Sequence, residues 1–302
     1  MSELPAPLKT RPLGRSGFSV SSVAWGMWRF GGEDLATAQK LVETALEAGV
    51  TLFDTADIYG PKSHGGFGAS ETQLGRVFGA NLGLRAPMIL ASKGGIVPGT
   101  PYNSSAAYLS SAIDASLRRM NVERIDLWQI HRPDILTHPS EIASALEAAH
   151  RAGKIGAIGV SNYTVAQTQA LAAFLSLPIV SHQPEFSALH LDPLTEGILD
   201  HSIQSDMAVL AWSPLGGGRL AQPQDERSRA VVALFDAKAS ETGVSRTAAA
   251  LSWLMAHPSR TIPIVGTQNL DRIREIPQAY VPRWGRAEWY AVLVASRGEK
   301  LP

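Results

Sequence analysis

Eight short apolar runs alternate with amphipathic stretches along this chain, and that rhythm restricts its fold more than any other feature. The runs are Ser22 to Trp28, Thr51 to Ala56, Met88 to Lys93, Ile125 to His131, Ala157 to Asn162, Ile179 to Glu185, Ala208 to Pro214 and Thr261 to Gly266. Most are nearly continuous in apolar residues. Parallel strands read this way when helices cover one face and a core fills the other. Between the runs, helical spacing predicts helices over Leu35 to Ala48, Thr72 to Leu82, Ser104 to Met120, Pro139 to Ala152, Thr164 to Leu175, Pro193 to Ser205, Arg229 to Thr242 and Ser245 to His257. Ser70 is available as a cap, Pro139 suits a first turn, and Gly49 and Gly153 suit helix stops.

Eight such alternations favour a closed parallel (β/α)8 TIM barrel. An open doubly wound sheet is the alternative, but no G-x-G-x-x-G turn follows the first strand and no composition break marks a second domain. The expectation is therefore one α/β domain over residues 1–302, a length that suits a barrel. A β-hairpin is expected over Leu13 to Ser21, and a C-terminal helix and tail over Arg283 to Pro302.

Composition removes several classes of function. Lysine plus arginine and aspartate plus glutamate each number 27, so nothing points to nucleic acid or a membrane surface as partner. The absence of cysteine excludes disulfides, thiolate nucleophiles and Cys-ligated metal centres. With no signal-peptide pattern and no apolar run of transmembrane length, a cytoplasmic protein is expected. Oligomeric state is left open.

Polar residues interrupt the ends of the apolar runs: Asp54, Tyr59, Lys93, His131, Ser161, Asn162, Gln183, Trp212 and Ser213. In a barrel these C-terminal strand ends converge on one mouth. A buried Asp, Lys or His there must be paired or hydrated. Carbonyl reduction needs a hydride source and a proton donor. A free tyrosine is a poor acid, with a pKa of about 10. A lysine ammonium beside Tyr59 favours the phenolate, Asp54 can hold Lys93 by a charge-assisted bond, and His131 can orient a substrate oxygen. The plain alternative is a satisfied Tyr–Lys pair at a barrel rim, with Asp57 competing for the lysine.

Other chemistries find less support. No H-E-x-x-H or H-x-H motif suggests a metal, and none is expected. A paired-carboxylate hydrolase would need Asp54 to face Glu185 rather than Asp57. No G-x-S-x-G elbow occurs. Gly216 to Gly218 can bring backbone N–H groups close to a phosphate, or act as a hinge. Trp25 and Trp28 read equally as a substrate wall or as packing. His64 and His138 read as loop residues, while His150 and His257 suit helix C-termini. His182 should face away from Gln183, since side chains alternate along a strand.

The segments FDTADIYG (Phe53 to Gly60), ASKGG (Ala91 to Gly95), QIHRPD (Gln129 to Asp134), GKIGAIGVSNY (Gly153 to Tyr163), AWSPLGGG (Ala211 to Gly218) and IPIVGTQNLDRI (Ile262 to Ile273), in this order, resemble the aldo-keto reductase family. The HRPD wording, the GGGRL loop and the WYAVLVASRG tail resemble its bacterial YdhF-like branch. The resemblance implies NAD(P)H-dependent reduction of an aldehyde or ketone by direct hydride transfer, without metal. It places the tetrad on Asp54, Tyr59, Lys93 and His131, with Tyr59 as general acid. Ser161, Asn162 and Gln183 resemble the carboxamide-binding groups, and Trp212 the aromatic stacked on the nicotinamide. Ser213, Leu215 and Gly217 resemble the pyrophosphate loop, and Gly266, Thr267 and Arg272 the segment that reads the 2′-phosphate.

Three departures from the family pattern fall at the adenosine end, two of them in charge near the phosphate and one, Ile276, in an adenine contact. Gly266-Thr267 replaces a frequent Lys-Ser pair, Ile276 replaces a frequent Asn, and Gln268 is neutral where some relatives carry a cation. NADPH is the expected cofactor, with NADH as its competitor. The other function class to weigh is a redox sensor or auxiliary subunit that binds the cofactor without turnover.

Overall fold

The structure, a computed structural model, describes residues 4–60 and 66–302. Its first element is an antiparallel hairpin of β1 (Thr10–Pro12) and β2 (Ser19–Ser21), which begins three residues earlier than expected. The hairpin closes the bottom of a barrel. Leu13 and Val20 pack with Ala24, Leu52, Ala91, Leu127, Val180, Leu210 and Ile262, the inward residues of the strands that follow.

Those strands are β3 (Ala24–Gly26), β4 (Leu52–Asp54), β5 (Ile89–Gly94), β6 (Ile125–Ile130), β7 (Ile155–Ser161), β8 (Ile179–Gln183), β9 (Ala208–Ala211) and β10 (Ile262–Val265). Neighbours pair in parallel in chain order, and β10 returns to β3, closing the barrel. The continuous apolar runs now have a cause. Trp25, Phe53, Trp128, Ile130 and Val160 pack outward against helices, while the smaller set that meets the hairpin points inward.

Eleven helices are present among the described residues: α1 (Leu35–Glu47), α2 (Ala69–Ala80), α3 (Ala106–Met120), α4 (Pro139–Arg151), α5 (Val165–Ala172), α6 (Asp192–Thr195), α7 (Ile198–Gln204), α8 (Glu226–Thr242), α9 (Arg246–Met255), α10 (Leu270–Arg274) and α11 (Arg286–Arg297). Side-chain caps start many of them. Asp34, Ser105, Thr164, Asp225 and Ser245 each accept a backbone N–H of the first turn. Such a cap contributes about 1 kcal/mol. No helix among the described residues is long and apolar enough to cross a membrane.

Some expected boundaries move for local reasons. Ser70 does not cap α2, which starts after the left-handed Gly68; its hydroxyl instead donates to the carbonyls of Met27 and Phe30. The helix expected over Pro193 to Ser205 is two, separated at Gly197 with φ +74. Strand β4 stops at Asp54 because Thr55 to Gly60 turn out of the sheet into the mouth. At the far side, α11 locks onto α9. Trp289 stacks on Trp253 at 4.7 Å, and each indole N–H donates to the other residue's carbonyl, at 3.0 and 3.1 Å.

Candidate active site

The turn after β4 brings an acid and a phenol to the same ammonium. Lys93, wholly buried on β5, donates from Nζ to Asp54 Oδ2 at 2.6 Å, to the Thr55 carbonyl at 2.9 Å and to Tyr59 Oη at 3.2 Å. Burial works against the Lys93 charge, but Asp54 and Tyr59 outweigh it and hold the ammonium above its ordinary pKa. Asp54 is saturated, since its other oxygen accepts from Gln183 Nε2 at 2.9 Å and Gln129 Nε2 at 3.3 Å. A carboxylate held this way is badly placed to act as a hydrolytic nucleophile. Asp57 does not compete for the lysine; its carboxylate lies on the other side of the turn, against Tyr108 Oη at 3.1 Å.

Tyr59 stays partly exposed at the mouth, edge-on to His131 with ring centroids 5.5 Å apart. Burial pushes its phenol up, Lys93 pulls it back, and burial wins. The lowering expected from sequence is therefore present but does not decide the net direction. His131 is 7% exposed, and burial, followed by Lys93 and Arg132, pushes it well below the usual imidazole range. It is neutral at neutral pH, so one ring nitrogen carries a proton that can be donated. Gly60, next to Tyr59, takes φ +147, and a side chain there would collide with the Gly66 carbonyl, so the turn requires glycine.

The remaining expected residues arrive at the same mouth. Ser161 Oγ donates to the Gln183 carbonyl at 2.9 Å and accepts from Asn162 Nδ2 at 2.8 Å. Asn162 takes φ +58, rare for a residue with a side chain, and its Oδ1 accepts from Trp212 Nε1 at 2.9 Å. One ring thus fixes one amide. Ser213 also has a positive φ, of 50°, and its carbonyl accepts from the Gly216 N–H. Leu215 precedes the short 3-10 turn of Gly216–Gly218, where Gly217 is exposed at φ +67 with open space beside its Cα.

Past β10, Gly266 leaves room for Trp28, whose Nε1 would lie 3.2 Å from a Cβ at 266. The Thr267 carbonyl accepts from Trp25 Nε1 at 2.9 Å. Arg272 is exposed and makes no ion pair among the described residues. Trp25 proves to be core, fully buried against Phe30 and Phe53, whereas Trp28 stands 52% exposed on the rim. Ile276 is buried and belongs to the core rather than to a nucleotide pocket. His64 lies outside the described residues. His138 caps α4, His150 lies in its last turn, and His182 faces the helix layer, fully buried.

Two observations fit a dinucleotide here. Both polar atoms of the Gln268 amide are buried without a partner among the described residues, and the glycine turn leaves open space over its backbone. Sequence reasoning missed Gln129 and Arg132. Gln129 sits two residues before His131, the spacing that puts both on one face of the strand, and that periodicity was available as a signal. Arg132 lies 5.7 Å from the Trp212 ring, and its charge reaches both Tyr59 and His131.

Comparison with known proteins places these features. A profile of the aldo/keto reductase family matches residues 22–284. The chain is 54% identical to a 6-dehydroglucose reductase of Novosphingobium aromaticivorans, over the full length of both. It is 30% identical to oxidoreductase YdhF of Escherichia coli, covering 95% of this chain and 97% of that protein. Its fold matches that of the thermostable aldo-keto reductase Tm1743, solved with the inhibitor epalrestat, at a TM-score of 0.81 and 23% identity over 95% of this chain and all of that one.

Proposed function

Because this chain belongs to the aldo/keto reductase family, we propose that it reduces the aldehyde of a hydroxylated, sugar-like substrate to an alcohol with NADPH. The observation that carries the reading is the buried ammonium of Lys93, shared by Asp54 at 2.6 Å and Tyr59 at 3.2 Å. The bound cofactor supplies hydride. Charge that builds on the substrate oxygen is met by the Tyr59 hydroxyl and by neutral His131. As Tyr59 gives up its proton, Lys93 stabilises the phenolate left behind, and Asp54 keeps Lys93 charged. Because Lys93 acts most strongly on the anionic form of Tyr59, its help grows as the proton moves.

Ser161, Asn162 and Gln183 would hold the carboxamide and Trp212 the ring face. Ser213, Leu215 and Gly217 would cover the pyrophosphate, with Gly266, Thr267 and Arg272 at the adenosine end. Arg272, exposed and without an ion pair among the described residues, supports a choice of NADPH over NADH. The neutral Gly266-Thr267 pair keeps that preference small. Arg272→Ala should weaken NADP+ roughly 10-fold or more, the worth of a hydrogen bond to a charged group, and NAD+ by less than about twofold. Fluorescence titration of both nucleotides checks this; an equal effect would remove Arg272 from phosphate reading.

The substrate class rests on the 54% identity to the 6-dehydroglucose reductase. A cationic Arg132 beside Trp212 at the mouth suits a substrate rich in oxygen. Placement in the YdhF-like branch has the lesser support of 30% identity. We take residues 1–302 as one catalytic unit acting on a small molecule in the cytoplasm. A screen of carbonyls with both cofactors tests the whole reading. Sugar aldehydes should be turned over faster than simple ketones, with NADPH ahead of NADH. Cofactor binding with no turnover on any carbonyl would favour the sensor instead.

A further inference from the structure

Asp57 lies between two residues of the tetrad, yet it points away from the chemistry. It is 1% exposed. Its Oδ2 accepts from Tyr108 Oη of α3 at 3.1 Å, and its Oδ1 is buried with no partner among the described residues. The carboxyl also packs closely on β5, since a Cβ at Gly94 would lie 3.1 Å from Oδ2. Behind it is a second buried acid, Glu71 of α2, which accepts from Ser92 Oγ at 2.5 Å and from Arg119 Nε at 2.7 Å. The groups that face Asp57 are therefore Tyr108 and Arg119 from α3, Glu71 from α2, the Ile58 amide on its own turn, and the Gly94 backbone of β5.

This arrangement costs stability. A half-satisfied buried carboxyl beside a second carboxylate loses hydration that its partners do not restore. What it does locally is fix a turn. The inner side of residues 55–59 is already tied to β5, by the Thr55 N–H to the Ala91 carbonyl, the Asp57 N–H to the Lys93 carbonyl and Lys93 Nζ to the Thr55 carbonyl, each at 2.9 Å. The outer side has the Asp57–Tyr108 bond. Two residues later Tyr59 bends back to Lys93.

We propose that Asp57 and Tyr108 are a positioning pair, pinning the outer side of the Asp54–Tyr59 turn to α3 so that the Tyr59 hydroxyl stays within reach of Lys93. The inference rests on the reductase reading above. Burial, and then Glu71, pushes Asp57 up to about 7. Burial and Asp57 push the Tyr108 phenol upward, so it remains a donor. The Asp57 carboxyl thus opposes folding progressively as pH rises from its unfolded value through about 7. A merely structural residue would be expected to stabilise the fold.

The test compares Asp57→Asn and Tyr108→Phe with wild type in kcat, KM, cofactor Kd, Tm and amide exchange. Displacement of a catalytic group by a fraction of an ångström is expected to lower kcat at least about tenfold in Tyr108→Phe, which deletes the bond, and by less in Asp57→Asn, whose amide oxygen still accepts from the Tyr108 hydroxyl. KM and cofactor Kd should stay within about twofold, and exchange across residues 54–59 should accelerate. The Tm of Asp57→Asn should rise above wild type between about pH 5 and pH 8, because a neutral amide escapes the penalty. Unchanged kcat and exchange in both variants would overturn the proposal. So would a lower Tm with kcat and cofactor binding lost together, which marks a structural role. Wild-type turnover in the same plate separates these failures from failure of the reductase reading, and the exchange measurement decides the inference even if no carbonyl is turned over.

Discussion

Tyr59→Phe is expected to lower kcat by about 10²- to 10⁴-fold, the range for removing a positioned general acid, while leaving cofactor affinity within about twofold. The loss follows from where the hydroxyl sits. It accepts from Lys93 at 3.2 Å and is the one phenol that shares that ammonium with Asp54. His131 remains in the variant, but burial holds it neutral, so it orients the substrate oxygen without an imidazolium proton to give. The fold should survive. Lys93 keeps Asp54 and the Thr55 carbonyl as partners, so the structural cost is the roughly 1 kcal/mol of one hydrogen bond. Single-turnover kinetics beside thermal melting separates the two effects. Retained turnover would mean that another group supplies the proton, and the assignment of Tyr59 would fail.

Much of this arrangement was legible in the sequence because a barrel converts order along the chain into proximity. Asp54, Lys93 and His131 stand near the ends of consecutive strands, and β4, β5 and β6 are neighbours. Counting apolar runs was therefore enough to bring distant residues together. What could not be read was the sign of competing terms. Lys93 does favour the Tyr59 phenolate, but burial opposes it more strongly, and burial is a property of the assembled mouth. The Asp57–Tyr108 bond was equally hidden, since a helix residue 51 positions away is placed only by how α3 packs. Turn residues were the weakest signal. Ser70 has the chemistry of a cap, but its hydroxyl serves two carbonyls of the loop after β3.

The layer of amides below the tetrad shows why the site tolerates so much buried polarity. Gln129 and Gln183 both donate to Asp54 Oδ1, and Gln129 Oε1 accepts from Ser181 Oγ at 3.3 Å. Gln183 in turn presents its backbone carbonyl to Ser161, whose hydroxyl accepts from Asn162. One chain of bonds therefore runs from the acid–lysine pair to the amide bonded by Trp212. Each member is fixed by the next, so the groups proposed to hold the cofactor and those proposed to move the proton share one scaffold.

Replacing Lys93 itself strikes both ends of that scaffold. Lys93→Met should abolish measurable turnover, through loss of the charge that stabilises the Tyr59 phenolate, and should also destabilise the protein by about 3–5 kcal/mol. The second effect arises because Asp54, 2% exposed, is left without its cation and keeps only the two glutamine amides. The two losses respond differently to a second change. Adding Asp54→Asn to Lys93→Met removes the uncompensated charge, so most of the stability should return. Activity should not, because the ammonium beside Tyr59 is still absent. Chemical denaturation and steady-state assays on the two single variants and the double form the required cycle. Recovery of turnover along with stability would show that Lys93 serves only to neutralise Asp54, and the role given to it in proton transfer would have to be withdrawn.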